Sequence, residues 1–180
     1  PYFKRNSGGV TFSGGEPLLQ SEFVIEVCKL LKKEGVHIAL DTAGVGNHDY
    51  DEILSYVDLV LFDIKHVTPD GYKDLTGHEI DDSFKFIEAM NKSGVPVWIR
   101  QVIVPGLMDN DEYLKGLKDT IKKIKNVQKI EFLPYHKLGD EKYQKLGIVN
   151  PYQDKEAMDA TYCQQLYEKF IRMVHEEEQN

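Results

Sequence analysis

Short runs of β-branched and aromatic residues alternate with longer stretches of helical periodicity, and this alternation constrains the fold more than any other feature of the sequence. It predicts βα units and a mainly parallel sheet. Five strands, each followed by a helix or a long loop, favour part of a β/α barrel over an open sheet. The five predicted strands are Val10–Ser13, His37–Asp41, Asp58–Ile64, Val95–Val104 and Lys129–Pro134.

Apolar residues recur with helical spacing between and after these strands. The first such stretch begins at Ser21, a suitable N-cap, and Gly35 stands where a helix commonly ends. The last strand is followed by a loop of roughly twenty residues, which is long enough to indicate a functional segment. The other predicted helices are Asp51–Val57, Ser83–Lys92, Asp111–Lys125 and about Asp154–Glu177.

Length and charge limit the classes of protein to which the chain can belong. Its 180 residues fit one domain, predicted to span residues 1–180. The formal net charge is −8 and the basic residues are scattered, so no nucleic-acid interface is expected. No apolar run approaches the ~18 residues of a membrane span and no signal peptide opens the chain. We therefore expect a cytoplasmic protein without a membrane partner.

Polar and charged residues cluster where the predicted strands end. The carboxyl ends of the strands in a β/α barrel converge on one mouth, so these residues are expected to meet in space. Polar groups elsewhere within strands would cost desolvation free energy, which makes a binding function the better explanation. The segments concerned are Ser13–Pro17, Asp41–Thr42, Asp63–Lys65, Arg100–Gln101 and Tyr135–His136.

The chemistry of this set predicts the kind of ligand. Gly14 and Gly15 let backbone groups approach a ligand closely. Lys65 and Arg100 can neutralise a carboxylate, and Asp41 can accept hydrogen bonds from a ribose or an amine. The set suits an amino acid joined to a nucleoside, such as S-adenosylmethionine (SAM).

Each of these residues also has a purely structural alternative. The two glycines could form only a tight turn, and Asp63 and Lys65 could form a local ion pair. Arg100 could pair with a carboxylate without touching a ligand, and His136 could be a structural histidine. A cation held between Asp41 and Asp63 is a further geometric possibility.

The two cysteines, Cys28 and Cys163, are far apart in sequence. Each lies on the apolar side of a predicted helix, where a free cysteine usually acts as a small buried hydrophobe. No metal-cluster motif can be built from them.

Several segments in order resemble the radical SAM family that activates glycyl radical enzymes. Their order and spacing are kept over about Gly8 to Leu138. One position departs from the pattern, because Ala43 stands where the family has Asn. The matching segments are Gly9–Leu18 ("GGE"), Leu40–Gly44 ("LDTNG"), Asp63–Lys65 ("DLK"), Trp98–Gly106 ("WIRxxxVPG") and Glu131–His136 ("ELLPYH").

The resemblance implies a radical SAM oxidoreductase with a partial (β/α)6 barrel that holds SAM and a [4Fe–4S] cluster. Such an enzyme produces a 5′-deoxyadenosyl radical that abstracts hydrogen from a glycine of its partner. The implied partner is a glycyl radical enzyme, in the first place pyruvate formate-lyase, and the implied electron donor is a flavodoxin or ferredoxin. The SAM-binding residues carried over are Gly14, Gly15, Glu16, Asp41, Thr42, Asp63, Ile64, Lys65, Arg100 and His136.

The family's CxxxCxxC cluster motif has no counterpart in this chain. In the family it lies upstream of the matching segments, and its three thiolates hold three of the four irons. We therefore expect a truncated barrel with five of six βα units, cut by expression design or proteolysis. Such a fragment would bind no cluster, bind SAM weakly and be inactive. Two alternatives stay open: the activase of another glycyl radical enzyme, and a non-catalytic ligand-binding domain on the same scaffold.

Overall fold

The computed structural model describes residues 8–46, 50–147, 149–150 and 152–178. Five strands form one parallel sheet in the order β1-β2-β3-β4-β5, which confirms the predicted α/β class. Every predicted strand is present, with its ends displaced by at most two residues. The strands are β1 (Gly9–Phe12), β2 (His37–Thr42), β3 (Leu59–Asp63), β4 (Val97–Ile103) and β5 (Val127–Pro134).

Seven α-helices and two 3-10 helices occupy the connections within the described residues. The 3-10 helices are Pro17–Gln20 and Lys137–Gly139. The α-helices are α1 (Ser21–Lys33), α2 (Tyr50–Leu54), α3 (Pro69–Thr76), α4 (Asp81–Ser93), α5 (Asp111–Ile121), α6 (Asp140–Leu146) and α7 (Ala160–Glu178).

The chain divides into two compact units. The first comprises residues 1–100 and 120–130, and the second comprises residues 101–119 and 131–180. The first unit contains β1 to β3 and α1 to α4. The second contains α6 and α7. That residues 1–180 form a single domain stays a prediction.

In the first unit, strand side chains alternate between a buried face and a face that carries the polar residues. Leu40, Phe62 and Ile99 are almost fully buried on the helix-covered face. Asp63 and Arg100 occupy the opposite face and are paired across β3 and β4. The period of two along a strand therefore presents the charged side chains together.

Helix α3 was not anticipated from the sequence, and α7 begins later than expected. Met158, inside the expected helix, donates its backbone N–H to the Tyr135 carbonyl at 2.9 Å instead of entering a helical turn. Asp159 then caps α7, accepting a hydrogen bond from the Tyr162 N–H at 2.8 Å. No helix in the described part of the chain has the length and apolar character needed to cross a bilayer.

Candidate functional site

A cavity of about 400 Å³ lies in the first unit where the strands end. Its walls bring together eight of the ten residues that the sequence singled out. They come from the segment after β1, from the last two residues of β2, from the end of β3 and the residues just after it, and from β4. The eight residues are Gly14, Gly15, Glu16, Asp41, Thr42, Asp63, Lys65 and Arg100.

The charged residues of the cavity form one alternating network. Arg100 Nε donates to Asp63 Oδ1 at 2.7 Å, and Arg100 Nη2 donates to Asp41 Oδ1. Lys65 Nζ donates to the other oxygen of Asp63 at 3.0 Å. The guanidinium thus lies between the two carboxylates, where the sequence left open a cation. The two acids and two bases of this network balance in formal charge, and Glu16 adds a further carboxylate to the lining of the cavity.

Arg100 is held in its charged form. Burial alone would lower the pKa of its guanidinium, but hydrogen bonds and charges from Asp63 and Asp41 outweigh that cost and raise the pKa. Side-chain exposure is 21% for Arg100, 19% for Asp41 and 21% for Asp63, so water screens these contacts only in part. The two aspartates are therefore preorganised by the arginine fork.

Ser13 belongs to a strand-end segment that the sequence predicted to converge, but it was not among the residues assigned to SAM binding. Its hydroxyl donates to Asp41 Oδ2 at 3.0 Å and it lines the cavity. Arg100 engages the other oxygen of Asp41, so both carboxylate oxygens have a donor. The signal in the sequence was the position of Ser13 at the end of the first predicted strand, directly before Gly14.

The carboxylate of Glu16 accepts hydrogen bonds from other residues of the chain. One oxygen accepts hydrogen bonds from the Thr42 hydroxyl and from the Leu18 N–H, the latter at 3.2 Å. The other oxygen accepts from the Ala43 N–H at 2.8 Å. Thr42 is buried, and its hydroxyl also accepts from the Gly44 N–H at 2.9 Å. Glu16 therefore ties the segment after β1 to the segment after β2.

Gly14 and Gly15 expose backbone to the cavity. Gly14 has a φ of 121°, which side-chain-bearing residues rarely adopt. A Cβ added at either glycine would meet no atom within 4 Å, so the backbone is open to a ligand.

One wall of the cavity comes from α3 and the residues just after it, which the sequence reasoning missed. Tyr72, Thr76 and His78 line this wall. Tyr72 is 1% exposed, and burial raises the pKa of its phenol to about 12. The missed signal was local, because Thr68-Pro69 is a strong helix start and Gly77 a strong helix end.

Two predicted residues are not part of the cavity wall in the first unit. Ile64 is buried, and its backbone N–H donates to the Arg100 carbonyl at 3.1 Å. His136 belongs to the second unit, where its Nδ1 accepts a hydrogen bond from the Leu138 N–H at 3.4 Å. A role for either residue in binding SAM stays a prediction.

The cysteines do not form a metal site. Both are free and buried, and Cys28 and Cys163 lie in different units. Burial raises the pKa of the Cys28 thiol to about 11 and also raises that of Cys163, which disfavours the thiolates that iron requires. Among the described residues, no group of three or more His, Cys, Asp or Glu could hold a metal ion.

Comparison with known proteins identifies the family. Residues 2–125 match the model of the radical SAM superfamily. The chain is 52% identical over 176 residues to the pyruvate formate-lyase-activating enzyme of Clostridium pasteurianum, covering 98% of this chain and 74% of that protein. The enzyme of the same name from Staphylococcus epidermidis is 43% identical, with coverages of 90% and 69%. That from Streptococcus mutans is 42% identical, with coverages of 83% and 59%.

Solved structures support the partial-barrel fold. A domain of a pyruvate-formate lyase-activating enzyme from Bacteroides vulgatus superposes with a TM-score of 0.72 at 22% identity, covering 94% of both chains. A radical SAM methyltransferase from Sphaerobacter thermophilus gives a TM-score of 0.69 at 14% identity, covering 96% of this chain and 51% of that one. The predicted fold of the radical SAM type is confirmed. The chain belongs to the radical SAM superfamily and, within it, to the family of pyruvate formate-lyase-activating enzymes.

Proposed function

We propose that this chain is the SAM-binding body of an activating enzyme that generates a glycyl radical on pyruvate formate-lyase. The observation that carries the proposal is the strand-end cavity, where open glycine backbone stands beside a preorganised network of two acids and two bases. The identity of 52% to an activating enzyme supports the same conclusion. Because the chain spans between 59% and 74% of the relatives' lengths, the activity of the whole protein is part of the proposal.

The residues of the cavity fit the chemistry of SAM. The space that a Cβ would fill at Gly14 and Gly15 leaves room for the methionine ammonium group to reach backbone carbonyls. Asp41 and Asp63 can accept hydrogen bonds from the ribose hydroxyls. Lys65, which is 36% exposed, is the cation with more freedom to meet the methionine carboxylate. SAM, once bound, supplies the group that abstracts hydrogen from the partner's glycine.

The chain's own residues orient and shield this ligand. Arg100 holds Asp41 and Asp63 in fixed positions, so little reorganisation is needed when a ligand arrives. Glu16 fixes the segments that follow β1 and β2, which form the floor beside the two glycines. We include Thr42 in the site for the same reason, because its hydroxyl connects Glu16 to the Gly44 N–H.

The [4Fe–4S] cluster does not fit the residues present. It needs three thiolates at close spacing, whereas this chain has two buried cysteines in separate units. We infer that a segment outside these 180 residues supplies the cluster ligands. The isolated chain is then inactive, and its electron donor, a flavodoxin or ferredoxin, acts only on the larger protein.

The test is a chimera in which the part of the Clostridium pasteurianum relative that this chain does not span is joined to the chain. Prepared anaerobically, it should bind iron, release 5′-deoxyadenosine from SAM and produce a glycyl radical signal on pyruvate formate-lyase. Lys65→Ala should abolish release, whereas Lys85→Ala, a substitution at an exposed helix position, should not. The isolated chain should show neither iron nor release.

Three other results would redirect the proposal. Release of 5′-deoxyadenosine with a radical only on a different glycyl radical enzyme would change the partner. A folded chimera that holds iron but releases no 5′-deoxyadenosine would favour a non-catalytic binding domain. Release by the isolated chain would contradict the inference about the cluster.

A further inference from the structure

A histidine outside the cavity anchors the helix that forms one of its walls. His66 directly follows Lys65, and its imidazole lies on the backbone of Gly71 in the first turn of α3. A Cβ added at Gly71 would lie 2.0 Å from the imidazole Cε1 and 2.2 Å from Nδ1. Since no real Cβ comes that close, the ring and any side chain at position 71 compete for the same space.

Hydrogen bonds connect the same imidazole to the cap of α3. Its Nδ1 accepts from the Thr68 N–H at 3.2 Å and lies 3.1 Å from the Thr68 hydroxyl. That hydroxyl caps the helix by accepting from the Gly71 N–H at 3.2 Å. The ring, the cap and the first turn therefore form one connected set.

Helix α3 is short, so the contacts at its two ends matter for its stability. It has eight residues, of which Tyr72 is the buried one, and helices shorter than about 12 residues are marginal on their own. Its far end is closed by Gly77, which is left-handed and donates to the Lys73 carbonyl at 2.8 Å. Between these two ends, Tyr72 and Thr76 face the cavity.

We propose that His66 is a positioning residue, which holds α3 so that Tyr72, Thr76 and His78 stand at the right distance from the strand-end wall. It does so without lining the cavity itself. The ring joins the end of β3, which carries Asp63 and Lys65, to the first turn of α3. Its effect on the ligand is thus an effect on affinity and not on the chemical step. The part of the proposal that concerns SAM rests on the proposed function, whereas the part that concerns α3 does not.

The competition for space gives a direct test in a double-mutant cycle. In Gly71→Ala the new methyl must displace the imidazole and break its bond to Thr68. In the double variant with His66→Ala the methyl has room, and alanine is the better helix former. The losses of α3 stability and of SAM affinity caused by the two substitutions should therefore be far less than additive. His66→Asn keeps an acceptor for the Thr68 N–H and clears the space above residue 71, so it should also rescue Gly71→Ala.

Two readouts apply to each variant. Amide exchange of α3 in the isolated chain should quicken in Gly71→Ala and in His66→Ala, because each removes the anchor. It should be no faster in the double variant with His66→Ala than in the faster single variant, and it should recover in the double variant with His66→Asn. In the active chimera, the SAM concentration at half-maximal rate should rise about fivefold in Gly71→Ala, which corresponds to about 1 kcal/mol of binding. The maximal rate should stay within about twofold of the parent, because the chemical step is not touched.

Controls and contrary results separate this proposal from the proposed function. Gly139→Ala, where a Cβ meets nothing within 4 Å, should change neither readout. Additive effects on amide exchange, or no effect of Gly71→Ala, would overturn the positioning role even if the chimera cleaves SAM. If the effects on amide exchange are non-additive but the SAM concentration at half-maximal rate does not change, the proposed effect of His66 on SAM affinity is overturned. If the chimera proves inactive, amide exchange in the isolated chain still decides the role in α3.

Discussion

At the scale of single residues, Arg100 is the centre of the site because its planar fork reaches two carboxylates at once. Asp63 lies beside it in the register of β3 and β4, and Asp41 lies on the next strand, opposite Leu61. A lysine at position 100 would bring one charged nitrogen and no fixed geometry. One aspartate would then lose its hydrogen bond to residue 100 and keep only its other donor, Ser13 for Asp41 or Lys65 for Asp63.

We expect Arg100→Lys to lower the free energy of unfolding by about 1–3 kcal/mol, since one carboxylate loses its charged hydrogen-bond donor in a partly buried site. SAM binding by the active chimera should weaken as well. Urea denaturation checks the first effect and equilibrium binding the second. Arg172→Lys on the exposed side of α7 is the matched control. An equal change in both variants would contradict a central role for Arg100.

Glu16 acts through the backbone it holds. Glu16→Gln replaces one acceptor oxygen by an NH₂ group, which cannot accept from the Ala43 N–H or from the Thr42 hydroxyl. We expect a loss of about 1–3 kcal/mol in the free energy of unfolding, together with faster amide exchange at residues 43 and 44. Glu88→Gln, exposed on α4, should be neutral. Unchanged exchange at these two amides would show that Glu16 does not fix the segment.

At the scale of elements, the sequence predicted the strands and helices best where burial in the core determines the pattern of apolar residues. The strands are enriched in apolar and β-branched residues, and each was predicted within two residues of its observed ends. Helix α3 was missed because it buries one side chain and carries no apolar stripe. The start of α7 was misplaced because the Met158 N–H bonds to Tyr135, a long-range contact that periodicity cannot reveal.

In the candidate site, too, some features could be predicted from the sequence and others could not. Parallel strands bring the residues at their carboxyl ends together, so the sequence predicted that these residues would meet. Eight of the ten residues assigned to SAM binding do line the cavity. The Asp63–Lys65 pair could be anticipated from the spacing of two along one strand. The bridge from Arg100 to both aspartates could not, because it depends on which strands are neighbours and on their register.

The anchor of α3 also gives a prediction of pH dependence. Burial lowers the pKa of His66 below its ordinary value of 6.5, against opposing effects of Thr68 and Asp74. The unfolded chain therefore takes up this proton first as the pH falls. The stability contributed by the neutral ring is complete above pH 6.5 and is lost as the pH drops from 6.5 towards the lowered pKa of the folded state.

Denaturation between about pH 5 and about pH 8, the range in which histidines titrate, should show this loss in the parent protein. In His66→Asn, which has no titrating group at this position, the slope should be smaller. Identical slopes in the parent and in His66→Asn would mean that His66 does not contribute to the pH dependence.

At the scale of the whole molecule, the surface of the first unit bears on how the chain behaves in isolation. Among the residues that the structure describes, β1 ends the order of strands in the sheet and has one neighbouring strand. In α1, which follows soon after, Phe23 is 64% exposed and Leu30 is 62% exposed. A strand edge without a described partner and exposed apolar side chains each favour association between chains.

We therefore expect the isolated chain to self-associate with increasing concentration, and Phe23→Lys to shift that equilibrium towards the monomer. The lysine removes apolar area and adds a charge, and a side chain this exposed contributes little to the core, so the unfolding free energy should change by less than about 0.5 kcal/mol. Gln165→Lys adds the same charge on α7 without removing apolar area. Sedimentation velocity over a concentration series distinguishes the two variants. If both shift the equilibrium equally, net charge controls association; if only Phe23→Lys does, the apolar surface of α1 is the contact.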